Sequence, residues 1–204
     1  MVILRLRSIL GTRTGFEDTS IAEKTRQSME TPENIPEQKE VIQNRPIWEE
    51  FAEPNSKLAV GLQTIHERDP QFNPKEFLNG AKYAYEMIIE AFEKSSQHDL
   101  RPLLSKKVFN DFVEAINQNL KTGHSDQKQL IQIRNAQIQT AELKNSIAIV
   151  SVKFTSEFII VKQSNETFSN HNSNETIETI DVWTFERDIR SDDPNWKVTS
   201  TDSE

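Results

Sequence analysis

The sequence predicts an α+β domain whose N-terminal helices pack on one face of a curved antiparallel sheet. Three observations predict it. Apolar residues recur at helical spacing from Leu58 to Leu120, and beyond Gly123 the period drops to two. The alternating segments follow one another with only turns between them, which favours antiparallel pairing over crossover connections. The first of them changes phase midway, the mark of a β-bulge and a bend. A bent sheet that holds helices in its concave face is cone-like, and the space between the layers can become a pocket.

The first helix starts near Lys57, with Asn55 or Ser56 as N-cap and Leu58, Leu62 and Ile65 as its apolar stripe. Asp69-Pro70 ends it. In FNPKEFLNGAKYAYEMIIEAFEKSSQHDL, Asn73 caps and Pro74 occupies the first helical position, where its missing N–H costs nothing. Phe77, Leu78, Ala81, Tyr85, Ile88, Ile89 and Phe92 then line one face, making this the strongest helix in the chain. Asp99 opens a short turn through Leu103 and Leu104. Ser105 opens another helix, with Val108, Phe109, Phe112, Val113, Ile116 and Leu120 on its stripe and Gly123 as its stop.

The first strand covers about 130–142. Ile131 and Ile133 share a face there, whereas Ala136 and Ile138 fall on the opposite parity. The second covers 147–161, where Ala148, Val150, Val152, Phe154, Phe158 and Ile160 alternate with Ser156 as the exception. A turn at Lys144-Asn145 joins the two as a hairpin. After the polar loop QSNETFSNHNSN, a third strand spans about 176–187. A last one starts at Trp196, after the turn SDDPN.

Ahead of this domain (57–204) lies a segment of different character (1–56). It opens MVILRLRSILGTRTG, with Arg5, Arg7 and Arg13 and no acidic residue before Glu17. Residues 16–56 carry ten acidic and four basic side chains and are interrupted by Pro32, Pro36, Pro46 and Pro54, which marks a flexible linker. Ile47, Trp48 and Phe51 stand out in it, as a docking motif or as an anchor folded back on the domain. The opening apolar run is shorter than a secretory signal or a membrane span requires. Three arginines near a surface attract anionic headgroups by about 1 kcal/mol each, and Val2, Ile3, Leu4 and Leu6 can insert shallowly.

Composition excludes several chemistries. A formal net charge of −8 is a poor match for nucleic-acid phosphates. There is no cysteine, hence no disulfide, thiolate metal site or cysteine nucleophile. His66, His98, His124 and His171 fit no metal-ligand spacing, and the five glycines form no phosphate-binding loop. No cofactor or metal site and no catalytic constellation is expected. The one acid that needs weighing is Asp181, which shares parity with Trp183 and Phe185 and can point inward. Burying an ionised carboxylate is costly, so a solvated or edge-paired Asp181 is the better expectation. Asn165 and Asn174 begin glycosylation sequons, which in a chain without a secretory signal mark only a polar loop.

Three stretches resemble the Tim44-like family, which comprises the inner-membrane subunit anchoring the mitochondrial import motor, its α-proteobacterial relatives and a mitochondrial large-subunit ribosomal protein. FNPKEFLNGAKYAYEMIIEAF resembles the family's long helix, and DLRPLLSKKVFNDFVEAI its following helix pair. DVWTFERDIRSDDPNWKVTST, with its Asp-Pro turn and the Trp after Asn, is the most specific. The likeness covers roughly 72–200, and LRLRSILGTRTG is similar to the segment that follows a membrane span in bacterial relatives.

The resemblance implies a fold of the nuclear-transport-factor-two or cystatin type with a hydrophobic pocket, membrane association and no enzymatic activity. It implies lipid contact by the first helix, here Leu58, Leu62 and Ile65. The aromatic residues Phe77, Tyr85, Phe92, Phe112, Phe154, Phe158, Trp183 and Phe185 are the candidate pocket lining, though their spacing suits plain core equally. The bacterial span is lacking here, so the expected placement is the cytoplasmic or matrix face of an inner membrane. The protein would be peripheral there, or anchored by a span missing from this chain. The long charged region with which the mitochondrial anchor holds its chaperones is also lacking.

The expected function is therefore a non-enzymatic adaptor or scaffold that binds protein partners, an anionic lipid surface, or both. Its oligomeric state is not indicated. The alternative is a small-molecule-binding protein or enzyme on the same fold, which needs a titratable group deep in the pocket. A ribosome-associated module would need a basic patch, against which stand 17 basic and 22 acidic residues over 57–204.

Overall fold

Four helices precede a four-stranded meander in the computed structural model, which describes residues 46–122, 127–161 and 175–203. Arg5, Arg7, Arg13, His124, His171 and the sequon asparagines Asn165 and Asn174 lie outside the described residues.

Helix α1 (Lys57–Arg68) starts where the Ser56 hydroxyl accepts a hydrogen bond from the Ala59 N–H, 3.1 Å away. Helix α2 (Pro74–Glu93) starts on Asn73, whose side-chain oxygen accepts from the N–H groups of Lys75 and Glu76. Phe77, Ala81, Tyr85, Ile88 and Ala91 then form its buried face, at steps of three and four. A single turn, α3 (Gln97–Leu100), leads into α4 (Lys106–Thr122), with Ser105 at the N-cap position accepting from the Val108 N–H.

Strands β1 (Gln127–Lys144), β2 (Ile147–Val161), β3 (Glu175–Asp188) and β4 (Lys197–Ser203) pair in sequence order, all antiparallel. The two-residue turn between β1 and β2 places Asn145 at φ 57°, the left-handed conformation that primed hairpin turns demand and that asparagine tolerates. The phase change in β1 is present as a register shift between Ile133 and Asn135. Two further shifts, at Leu130/Gln132 and Ile138/Thr140, bend the strand more than its pattern suggests.

The helices cover one face of this sheet. Ala148, Val150, Val152, Phe154 and Phe158 of β2 are buried beneath them, with Trp183 and Phe185 of β3. Tyr85 of α2 stacks on Phe154 at 4.5 Å between ring centroids and lies as close to Trp183. Phe92 and Phe112 meet edge to face at 5.4 Å and join α2 to α4. The link before α4 is tied to β4, where the Ser105 N–H donates to the Val198 carbonyl and the Val198 N–H to that of Leu103.

Helix α1 lies against β1 at Gly61. A Cβ there would stand 1.8 Å from the Ala141 carbonyl oxygen, so only glycine permits this approach. Trp48 and Phe51 pack against the core, so the packed unit begins before Lys57 and the folded-back anchor is the arrangement seen.

Candidate functional site

The α1–α2 connection, the exposed flank of α2 and the β3–β4 turn enclose a cleft of about 440 Å³. Each wall has a local cause. Phe72 is held at the end of the α1–α2 connection because the His66 Nδ1–H donates to its carbonyl oxygen at 2.9 Å. Phe77 projects from the first turn of α2, and its ring centroid is 4.7 Å from that of Trp196, delivered by the turn before β4. Phe185 closes the group edge to face with Phe77 at 5.7 Å.

The floor is low because Gly80 has no side chain and nothing lies within 4 Å of where its Cβ would be. Ala81 and Ala84 continue it towards Met87 and Leu103, and Tyr83 stands on the rim, 66 % exposed. The cleft therefore runs along α2 with a polar end near Asn73 and Asn195 and an apolar end near Met87. Its size and aromatic walls suit an apolar chain or side chain.

Two charged residues line the cleft, Glu76 in the first turn of α2 and Arg187 of β3. Arg187 is ion-paired with Asp69, the C-cap residue of α1, and both side chains are about 15 % exposed or less. Its guanidinium carbon lies 5.3 Å from the Trp196 ring centroid, a cation–π arrangement. The Arg187 Nε is buried with no hydrogen-bond partner among the described residues. Burial lowers the guanidinium's pKa from its ordinary value, yet arginine stays protonated.

A second polar group sits between the layers. Asp181 points inward, as its parity with Trp183 suggests, and is half-buried. Its Oδ2 accepts from the Tyr85 hydroxyl at 2.7 Å and its Oδ1 from the Ser203 hydroxyl at 2.5 Å. Burial pushes the Tyr85 phenol well above its ordinary range, and the neighbouring carboxylate adds to this. Asp181 thus has a partner on each side: Ser203, its register partner on the edge strand β4, and Tyr85 of α2. Both oxygens are engaged, and Asp181 does not line the cleft along α2. A general base needs a free lone pair facing bound substrate, and this carboxylate has the geometry of a tie between layers. Replacing Tyr85 with phenylalanine leaves the half-buried carboxylate short of a donor and costs about 1.5 kcal/mol in urea unfolding. An unchanged midpoint would show that solvent already satisfies Asp181.

Of the candidate lining residues, Phe77 and Phe185 border the cleft. Tyr85, Phe154, Phe158 and Trp183 are buried in the core, and Phe92 and Phe112 pack at its edge. On α1, Leu62 and Ile65 are fully buried and Leu58 is half-buried, so contact of this stripe with lipid would require α1 to leave the sheet. Val60, on the opposite flank, is 58 % exposed. The cleft's other walls, Phe72, Gly80, Arg187 and Trp196, had no common signal in the sequence beyond the Asp-Pro turn that delivers Trp196. Among the described residues no three metal-ligating side chains converge, and no helix is long and apolar enough to cross a membrane.

The family model described as the Tim44-like domain matches residues 58–203. An uncharacterized protein of Rickettsia prowazekii (strain Madrid E), RP434, is 39 % identical over 56 residues. That stretch is 28 % of this chain and 26 % of that protein, so the chain spans about a quarter of this relative's length. Among solved structures, the intermembrane space region of the chloroplast protein ARC6 superposes with a TM-score of 0.42 at 8 % identity. The superposition covers 62 % of this chain and 95 % of that one.

Proposed function

The chain belongs to the Tim44-like domain family, and from that premise we propose that it is a non-enzymatic adaptor of an inner membrane, holding an acyl chain or an apolar segment of a protein partner in the cleft along α2. The family itself points to a membrane-associated, protein-interacting role. The finer reading rests on one observation, the aromatic-walled trough over Gly80, open along the exposed flank of α2.

The basic N-terminal segment contributes separately. Arg5, Arg7 and Arg13 add about 1 kcal/mol each at an anionic surface, a term that salt screens. As a flexible tether, the acidic segment ahead of the domain would give reach of order 5–6 Å × √n for n residues and raise the domain's local concentration at the membrane. The expected location is the cytoplasmic or matrix face, on the side where positive flanks stay.

Vesicle flotation of the full chain tests both terms. With anionic vesicles, replacing all three arginines by glutamine removes the salt-sensitive part of binding. Gly80→Leu fills the trough with a good helix former and lowers the remainder. Equal flotation of wild type and both variants would refute the proposal.

A further inference from the structure

The half of β1 beside α2 has no strand on its outer edge among the described residues. We infer that it binds an extended, basic peptide segment of a protein partner, which adds to β1 as a short fifth strand. The reading is independent of the cleft along α2.

Among the described residues β1 pairs only with β2, and its other edge has no strand partner. Helix α1 lies along residues 139–144, with Gly61 against Ala141, and covers that half. Over Lys128–Gln132 the edge instead borders a groove of about 530 Å³ beneath the outer flank of α2. One edge amide faces this groove: the Lys128 N–H donates not to a strand but to the Glu93 carboxylate, at 3.3 Å. Ile131 stands at its outer side, 49 % exposed, although a solvent-facing isoleucine on an edge strand invites pairing. The register shifts at Leu130/Gln132 and Ile133/Asn135 limit the slot to a few residues and oppose indefinite sheet growth.

Charge selects the occupant. Glu86, Glu90 and Glu93 project from one flank of α2 at helical spacing over the groove. Glu90 is paired with Lys94, but among the described residues neither Glu86 nor Glu93 has an ion-pair partner. Lys128, the cation within reach, lays its ammonium over the Phe158 ring, 4.1 Å from the centroid, and acts on Glu93 only through its backbone N–H and at longer range. A strand with alternating Lys or Arg presents cations to Glu86 and Glu93 and its other face to Ile131, with backbone hydrogen bonds supplying register. A second copy of this chain paired across the same edge would set two acidic α2 flanks side by side. The charge therefore favours a basic partner over self-association.

The test is fluorescence anisotropy with the full chain and a labelled ten-residue peptide of alternating lysine and valine. The expected result is saturable, salt-sensitive binding that is lost when the peptide carries glutamate for lysine. Backbone N-methylation at alternate residues, which leaves charge intact but removes strand donors, abolishes it as well. The exposed double variant Glu86→Gln/Glu93→Gln weakens binding about tenfold. No binding to the wild-type chain, equal binding of the N-methylated peptide, or indifference to the double variant would each overturn the inference. So would a concentration-dependent dimer that the peptide does not dissociate.

Discussion

Gly61→Ala destabilises the domain by about 3 kcal/mol, at the upper end of what an overpacked site costs, although alanine is the better helix former. The reason is the backbone of β1. The added methyl would sit 1.8 Å from the Ala141 carbonyl oxygen, and a strand's backbone carbonyl cannot rotate away as a flexible side chain would. Either α1 lifts from the sheet, withdrawing Leu62 and Ile65 from the core, or β1 shifts against β2. Gly80→Ala is the internal control. It lies in a helix too, but its Cβ position is open, so the substitution stabilises by about 0.5–1 kcal/mol. Thermal unfolding of the two variants should move in opposite directions. A Gly61→Ala variant as stable as the Gly80→Ala variant would mean that α1 does not rest on β1.

Arg187→Ala costs a comparable amount, about 3 kcal/mol, because it strands the Asp69 carboxylate in a site where both partners are about 15 % exposed or less. It also removes the cation over Trp196, which forms a wall of the cleft. Asp69 has a second task, accepting from the Gln71 N–H at 3.2 Å and so shaping the connection that delivers Phe72. The double variant Asp69→Leu/Arg187→Met should therefore regain most but not all of the lost stability, since apolar replacement of a buried pair is often nearly neutral. Equal losses in the single and double variants, measured by urea unfolding, would show that the pair contributes packing rather than charge.

The elements that punctuation and periodicity mark were legible in the sequence. Asn73-Pro74 announces α2 and its stripe gives the buried face; Lys144 and Asn145 give the hairpin. The bend in β1 was legible once, where isoleucine and alanine change parity. The other two shifts fall at Leu130/Gln132, where the adjacent apolar residues Leu130 and Ile131 assign neither face, and at Ile138/Thr140, where Gln139 and Thr140 interrupt the apolar pattern. The cleft was least legible, because Phe72, Gly80, Arg187 and Trp196 come from four separate segments and none belongs to a periodic stripe. Asp181 shows the same limit: parity placed it inward, but its partner Tyr85 lies 96 residues away on a helix. The stripe of α1 marks a further limit. A run of Leu58, Leu62 and Ile65 has the same spacing whether it faces lipid or a strand, and here it faces β1.

The claim on which the account turns is that the trough over Gly80 is where this domain holds an apolar partner. Amide chemical shifts of the isotope-labelled full chain, titrated with bicelles containing anionic lipid, test it most directly. The account predicts that perturbations concentrate at Gly80, Tyr83, Ala84 and Met87 and at the indole of Trp196. Perturbations confined to the N-terminal segment, with this flank of α2 unmoved at saturating lipid, would contradict it.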